Sequence, residues 1–403
     1  MKHTRRLIII LGAFCLGLGL YSGDKIYFIG LSVIVSLIIY AFITNIWVIL
    51  DFRYLQNITP QQVSKGEPAA LVIQIHNDKP FIYPYIKVFY KVPESALNND
   101  SKEKVLSVLP FQYGEIRENF ICSLRGEYTL GITHIEVRDP FGLFVLSTNL
   151  ANRPYYKPLY LKVTPRILNI SALPLPRIRN EGSSIQEFFY TEEPASLADI
   201  RQYRYGDPLK KIHWNISAKL QDIYVKNYET TAQSQILIFL ETSPFPVDGM
   251  LRYRIEDQAV ECAVSVIYFI LTKSLPAQLI IYHRERQQIS GKNPEDFPRF
   301  FDYISMLPFS SPFSAGEILL IESPGFSKGQ NIILIIHNLN HNLFNQLCRF
   351  RQSDIHPFIL FIHPPGQVNA ELRRMIDELN KRDIPCITVP VNERLDHILE
   401  RTL

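Results

Sequence analysis

Cysteine is scarce in this sequence, and so are the short motifs that usually reveal a reaction. The five cysteines among 403 residues are scattered and never form Cys-x-x-Cys, which argues against a disulfide framework and against a zinc ribbon. No Gly-x-Gly-x-x-Gly or P-loop motif occurs, so the sequence predicts no nucleotide cofactor. Gly-x-Ser-x-Gly occurs once, at residues 325–329, but it precedes a strand-like run instead of joining a strand to a helix, and Ser243 precedes a proline. The sequence therefore predicts no serine hydrolase. The formal net charge of +3 is too small to indicate a nucleic-acid-binding protein.

Charged residues are absent from two long stretches at the start of the chain, residues 7–21 and 26–50. The second stretch is long enough to cross a hydrocarbon core of about 30 Å, whereas the first is short for that purpose. The basic residues before the first stretch also fit a cleaved signal peptide. However, no Ala-x-Ala site follows, and the second stretch begins almost at once. The pattern favours a two-helix transmembrane hairpin over residues 1–52.

The basic residues around this hairpin predict its orientation. Lys2, Arg5 and Arg6 precede the first stretch, and Arg53 follows the second. Because positive residues near membrane helices stay on the cytoplasmic side, we expect both ends of the hairpin and everything after residue 52 to lie in the cytoplasm. The sequence thus predicts a multi-pass protein of the cell inner (cytoplasmic) membrane.

The part of the chain that follows the hairpin begins with a β pattern. Residues 53–165 show the two-residue alternation of strands, most clearly over Ala69–His76 and Tyr85–Val92. Several short strands without a helical period predict a β-sandwich domain, with an irregular barrel as the alternative. Residues 166–234 are polar with little periodicity, and we expect them to form a connecting segment.

From residue 235 onward, short apolar strands alternate with amphipathic helices. This order is typical of an α/β doubly wound parallel sheet with helices on both faces, and it predicts such a domain over residues 235–403. The ligand crevice of a doubly wound domain lies beyond the carboxyl ends of its strands.

The most distinctive stretch is 201–229, which combines aromatic, basic and turn-forming residues in one short run. Core segments and disordered basic tails both lack this mixture. Asp207, between Gly206 and a proline, predicts a tight turn, and a catalytic carboxylate is the sharper alternative. His213 and Trp214 fit a base beside a binding surface. More often such residues are a histidine that donates to a carboxylate and a tryptophan packed between domains, and we favour this alternative.

A basic face is also expected along this stretch, formed by Lys210, Lys211, Lys219 and Lys226. Such a face fits anionic lipid headgroups or an acidic protein surface. A merely solvated face fits the sequence equally well.

Three stretches resemble the family called domain of unknown function 58. The first runs from Arg125 to Phe144 and ends in Asp-Pro-Phe-Gly-Leu-Phe, and the second is Val163–Arg166. The third contains the signature residues Arg204, Gly206, Asp207, His213, Trp214, Ser217 and Lys219. The apolar start and the α/β pattern are similar too, so the resemblance extends over nearly the whole chain.

The resemblance implies a C-terminal part similar to von Willebrand factor A domains and an assembly or adaptor role at a membrane. It also implies partners, because neighbours of such proteins include MoxR-type AAA+ ATPases and transglutaminase-like membrane proteins. We therefore expect a non-enzymatic scaffold without a cofactor that works with a MoxR-type ATPase in assembly or maturation of a membrane or envelope complex. A hydrolase using Asp207 and His213 is one alternative, and a divergent metal-dependent ligand-binding domain is another.

One departure from the A-domain pattern concerns its metal site. That site uses Asp-x-Ser-x-Ser after the first strand, with Thr and Asp from later loops, and such oxygen ligands suit Mg²⁺. Here residues 241–245 read Glu-Thr-Ser-Pro-Phe, and His337 and Asn338 follow the third strand. Too few oxygen ligands remain for a tight site, so we expect no metal, with Glu241 and Ser243 as weak candidates.

Overall fold

The computed structural model describes residues 2–93, 101–174, 192–203, 212–230, 235–247, 249–366 and 368–402. The chain divides into two compact units, an N-terminal unit (Met1–Thr164) and a C-terminal unit (Pro165–Leu403). Each unit has its own apolar core.

Two long helices open the N-terminal unit. Helix α1 (Lys2–Ser22) and helix α2 (Lys25–Leu50) pack against each other, and Gly23 between them has a φ of +70°. Both helices are long and apolar enough to cross a membrane. The predicted pair of apolar helices is therefore confirmed, and α1 also includes the basic residues that precede its apolar stretch.

The rest of the N-terminal unit is built from strands. They are β1 (Arg53–Thr59), β2 (Gln62–Ser64), β3 (Pro68–His76), β4 (Tyr83–Lys91), β5 (Ser101–Val108), β6 (Tyr113–Ile121), β7 (Gly126–Arg138), β8 (Val145–Asn149) and β9 (Leu159–Thr164). One antiparallel sheet has the order β1-β3-β6, and the other has the order β2-β9-β7-β4-β5, with β8 paired to β7. Alternate residues of both sheets enclose a common core that includes Leu71, Ile86 and Ile135. The sequence does not single out β1, β2 or β8, because most of their side chains are partly or fully exposed.

Strand β7 is continuous where the sequence predicts two separate strands. It bends at Gly131, so that its first part pairs with β9 and its second part with β4 and β8. Gly131 has a φ of +116°, and a Cβ atom there would lie 2.5 Å from Gln56 Oε1. That oxygen accepts the Ile132 N–H at 3.0 Å, and Gln56 Nε2 donates to the Lys157 carbonyl at 2.7 Å. Gln56 therefore links β1 to β7 and to the segment before β9, and the glycine leaves room for it.

The C-terminal third of α2 packs into the core of the sheets. Its buried residues are Ala41, Thr44, Asn45 and Val48. Asn45 Nδ2 donates to the Phe144 carbonyl at 3.3 Å, and from α1 Arg5 Nε donates to the Leu143 carbonyl at 2.7 Å. Both carbonyls belong to residues 139–144, the loop between β7 and β8. This loop therefore holds both helices against the sheets.

Asp139 gives this loop its shape. Its carboxylate accepts the backbone N–H groups of Phe141 at 2.9 Å and Phe144 at 2.5 Å, and Gly142 adopts a φ of +67°. The Phe144 ring packs edge-on against Phe42 of α2, with the ring centroids 5.4 Å apart. The Asp-Pro-Phe-Gly-Leu-Phe motif thus docks the helices, a role that the sequence alone does not indicate.

A charged cluster closes the end of α2. Asp51 pairs with Lys79 and with Arg53 at 3.1 Å, and Arg53 also pairs with Asp78 at 2.8 Å. The buried Lys79 ammonium lies 5.0 Å from the centroid of the Trp47 ring. Hydrogen bonds from Lys79 and then Arg53 hold the pKa of Asp51 below its ordinary value. Two acidic and two basic groups make this cluster neutral in sum.

The C-terminal unit contains a six-stranded sheet with helices on both faces. Its elements in chain order are β10 (Glu192–Gln202), α3 (Trp214–Leu220), β11 (Tyr224–Thr230), β12 (Ile236–Leu240), α4 (Met250–Thr272), β13 (Ala277–Tyr282), β14 (Arg286–Gly291), α5 (Phe297–Ser305), α6 (Ala315–Glu322), β15 (Asn331–Ile336), α7 (His341–Gln352), β16 (His356–His363), α8 (Ala370–Lys381), β17 (Cys386–Pro390) and α9 (Leu395–Thr402). The sheet order is β14-β13-β12-β15-β16-β17, and β14 is its antiparallel edge strand.

Two cores flank this sheet, one with α4, α5 and α9 and the other with α6, α7 and α8. Every residue of β12, β15 and β16 is buried, as strands covered on both faces require. The predicted α/β character is therefore confirmed. The sequence misses β14, which is polar and mostly exposed, and it also misses α6 and α9.

The residues that follow Thr164 pack on α4 instead of forming a loose connection. Leu168 is buried, and its N–H donates to Ser265 Oγ at 2.9 Å. Arg166 contacts both carboxylate oxygens of Glu261 at 3.1 and 3.3 Å. The Glu261 side chain is only 1% exposed, whereas that of Arg166 is 36% exposed. The arginine therefore neutralises a carboxylate buried on α4.

We expect Arg166→Met to lower the free energy of unfolding by about 2–3 kcal/mol, because it removes the two arginine contacts at 3.1 and 3.3 Å from a buried carboxylate. Urea unfolding of the full chain in detergent, followed by circular dichroism, measures this loss. The exposed Arg254 of α4 offers a matched control, and Arg254→Met should change stability by about 0.5 kcal/mol or less. Equal stability of the two variants would contradict a structural role for the pair.

Candidate functional site

Glu241 is buried at the carboxyl edge of the sheet, directly after β12. Its Oε1 accepts the Ser243 hydroxyl at 3.0 Å and the Ala315 N–H at 3.4 Å. Its Oε2 accepts the N–H groups of His337 at 2.9 Å and Asn338 at 3.2 Å. The Glu241 side chain is only 1% exposed. One carboxylate therefore fastens the loops after β12 and β15 to the start of α6, and we call this arrangement the Glu241 clamp.

His337 lies beside the clamp. Its Nε2 is 2.8 Å from the Ser243 carbonyl, and because a carbonyl oxygen only accepts, Nε2 carries the proton. Its Nδ1 is buried without a hydrogen-bond partner in the described part of the chain, 3.8 Å from Glu241 Oε2. The Ser243 hydroxyl bonds to Glu241 and not to the imidazole. These three residues therefore lack the contact between nucleophile and base that a hydrolase needs.

The clamp does not fit a metal ion. A bound Mg²⁺ would need the carboxylate oxygens that the amides and the Ser243 hydroxyl already occupy. Within the described ranges, no group of three or more His, Cys, Asp or Glu residues is arranged to hold a metal. The fold thus brings the weak candidates Glu241 and Ser243 together, but in a structural hydrogen bond that Ser243 donates and Glu241 accepts.

The signature stretch has more regular structure than its sequence predicts. Strands β10 and β11 pair antiparallel, and α3 lies between them in the chain. The His213 N–H donates to the Tyr224 carbonyl at 2.8 Å, and the His213 carbonyl accepts the Ser217 N–H at 2.9 Å. Ser217 Oγ accepts the Tyr224 N–H at 2.9 Å and donates to the Tyr224 carbonyl at 3.4 Å. Ser217 therefore fastens α3 to the start of β11.

Helix α3 presents an exposed surface that we call the α3 face, formed by Trp214, Ala218 and Lys219. Trp214 is 68% exposed. Ala218 lies one turn further along the same side of the helix, and both Ala218 and Lys219 are exposed.

Several residues of the signature stretch lie outside the described part of the chain. These are Arg204, Gly206 and Asp207 of the signature, together with Lys210 and Lys211 of the expected basic face; the side chain of Lys226 is also outside it. The described residues therefore bring together His213, Trp214, Ser217 and Lys219, and they do not test the pairing of His213 with Asp207.

We expect Glu241→Ala to cost about 3 kcal/mol of stability, because it leaves three backbone N–H groups without their acceptor. Ser243→Ala removes only one hydroxyl donor and should cost about 1 kcal/mol or less. Urea unfolding measures both, and millimolar Mg²⁺ should leave the thermal midpoint of the wild type unchanged. A Mg²⁺-dependent rise in the wild type that Glu241→Ala abolishes would show that the carboxylate binds metal after all.

Solved structures that are similar to parts of this chain give low scores. The CARDB domain of the PF1109 protein from Pyrococcus furiosus, solved in complex with di-metal ions, is 17% identical. It covers 28% of this chain and 93% of its own, with a TM-score of 0.20. The C-terminal domain of wzt is 11% identical and covers 29% of this chain and 80% of its own, also with a TM-score of 0.20. Similarity at this level assigns the chain neither a fold nor a function.

Sequence comparison gives a more specific result. The uncharacterized protein YeaD of Bacillus subtilis (strain 168) is 18% identical over 290 residues, which span 70% of this chain and 68% of that protein. The family described as Protein of unknown function DUF58 matches residues 199–290, a segment that includes α3, β11 and the Glu241 carboxylate. The expected similarity to this family is therefore confirmed over residues 199–290.

Proposed function

We propose that this chain is a membrane-anchored scaffold whose α3 face binds a protein partner, and that the partner is a MoxR-type AAA+ ATPase. The exposed Trp214 is the observation that supports this most strongly. Tryptophan is enriched among the residues that contribute most to the binding energy of protein interfaces. Trp214 is 68% exposed on a helix that Ser217 fastens to β11, so it is available to contact a partner. Lys219 beside it favours a partner with an acidic surface.

The anchor in this proposal is the pair α1 and α2, inserted as a hairpin in the cell inner membrane. The basic residues Lys2, Arg5 and Arg6 lie at the end of α1 that contacts the sheets, through the hydrogen bond from Arg5 to Leu143. Because such residues stay on the cytoplasmic side, both units would face the cytoplasm. The chain would then be a multi-pass protein that presents the α3 face to cytoplasmic partners.

The C-terminal unit supports a binding role better than a catalytic one. Its parallel sheet suits the proposed likeness to von Willebrand factor A domains, and at the carboxyl edge of that sheet the Glu241 clamp bonds its carboxylate to amides instead of a cation. Such a unit would bind its partner without a metal, which fits assembly or maturation of a membrane or envelope complex. Transglutaminase-like membrane proteins would be further members of that complex.

Crosslinking of the tagged full chain in native membranes, followed by mass spectrometry, tests the proposal. We expect the wild type to recover an ATPase with a P-loop, and Trp214→Ala to lower its recovery about tenfold or more, as loss of an interface hot spot does. Ser217→Ala, which loosens α3 from β11, should lower the recovery to a lesser degree.

The matched control is Tyr253→Ala, because Tyr253 is also an exposed aromatic residue of the C-terminal unit, 43% exposed on α4. This variant should retain the partner. Equal recovery with the wild type and with folded Trp214→Ala would exclude the α3 face as the docking surface. Recovery of partners without a P-loop would exclude the ATPase.

A further inference from the structure

A cavity of about 740 Å³ lies in the N-terminal unit where α2 ends. One wall is the start of β1 with Phe52, Tyr54 and Leu55, and the facing wall is the segment that carries Tyr155 and Leu159. The hydrogen bond from Gln56 to the Lys157 carbonyl fixes the distance between the two walls. A cavity of this volume, walled mainly by apolar and aromatic side chains, is of the size that binds small organic molecules.

The position of this cavity along α2 places it beside the membrane that we propose for the helices. Arg5 and Asn45 both bond to the loop of residues 139–144, so they mark one level along the hairpin, and the charge of Arg5 places that level among the headgroups. Leu50 lines the cavity and follows Asn45 by about 8 Å along the helix. The headgroup layer of one leaflet is about 5–8 Å thick, so the cavity adjoins its outer edge.

The charges around the cavity favour an anion. Of the charged side chains that line it, Asp51, Arg53 and Asp78 belong to the neutral cluster that Lys79 completes. Lys157 also lines the cavity and has no ion-pair partner in the described part of the chain. It therefore adds one uncompensated positive charge to a mainly apolar chamber.

We propose that this cavity binds an anionic phospholipid of the adjacent bilayer, with an acyl chain along the apolar walls and the phosphate at Lys157. The inference rests on the membrane anchoring proposed above, and it adds a ligand that the family similarity does not supply. Binding would join β1 to the segment before β9 directly below α2. Lipid occupancy would thereby stabilise the attachment of the hairpin to the sheets.

Native mass spectrometry of the delipidated full chain, released from detergent, tests the proposal with three probes. These are phosphatidylglycerol, phosphatidylcholine with identical acyl chains, and glycerol phosphate as a headgroup without chains. We expect phosphatidylglycerol to bind about tenfold more tightly than phosphatidylcholine, because only its net negative charge complements Lys157. Glycerol phosphate should not bind detectably, because the apolar walls would gain nothing from it.

Charge reversal identifies the site. Lys157→Glu should weaken phosphatidylglycerol binding about tenfold or more, and Leu55→Asp, which places a charge on the apolar wall, should weaken both lipids. The matched controls are Lys104→Glu and Val105→Asp on β5, which also change exposed strand residues but lie outside the cavity. They should bind as the wild type does, with thermal unfolding confirming that all four variants are folded.

Three results would overturn the inference: no lipid on the wild type, equal binding by all variants, or glycerol phosphate binding as tightly as the lipid. The last result would assign the cavity to a soluble anion. The lipid-binding measurement needs no protein partner. A negative result would therefore overturn the lipid inference without affecting the scaffold proposal, which the crosslinking experiment tests.

Discussion

The burial of α2 against the sheets is the constraint on which the N-terminal unit depends. Asn45 would be costly in an apolar helix facing lipid, but its amide donates to the Phe144 carbonyl, and Asp139 holds that carbonyl in place. In the membrane arrangement that we propose, lipid would surround residues 26–40 of α2 and the apolar part of α1, 7–21, which are equal in length. Each of these segments is about 22 Å long, shorter than a typical hydrocarbon core. The sheets would then sit close to the bilayer, where a lipid could reach the cavity below α2.

In the C-terminal unit the corresponding constraint is a single carboxylate. Glu241 gathers backbone donors from the loop after β15 and from the start of α6, and these hydrogen bonds order the carboxyl edge of the sheet. We propose that partner binding depends on surfaces outside that edge. The α3 face is such a surface, because Ser217 orders the helix through the backbone of Tyr224 while Trp214 stays exposed.

Much of this fold is predictable from patterns that depend on burial. The apolar helices, the alternation in β3 and β4 and the wholly apolar β12 and β15 are all visible in the sequence, because packing dictates their residues. Elements whose residues face solvent, such as β1 and β14, leave no comparable pattern. The sequence also does not reveal the roles of Glu241 and Asp139, because it does not distinguish a carboxylate that accepts backbone N–H groups from one that binds a metal. Ser217 was identified as a signature residue, but only the fold pairs it with Tyr224.

The most direct test of the account is the depth of Trp47 in a bilayer. The chain has two tryptophans, so Trp214→Phe leaves Trp47 as the sole tryptophan, with its ring centroid 5.0 Å from the Lys79 ammonium. In vesicles containing brominated lipids, the account predicts strong quenching by bromines near the glycerol end of the acyl chains and weak quenching by bromines near the methyl end. Absence of quenching by either lipid would show that the hairpin does not lie in the membrane. Stronger quenching from the methyl end would place Trp47 too deep for the sheets to sit at the bilayer surface.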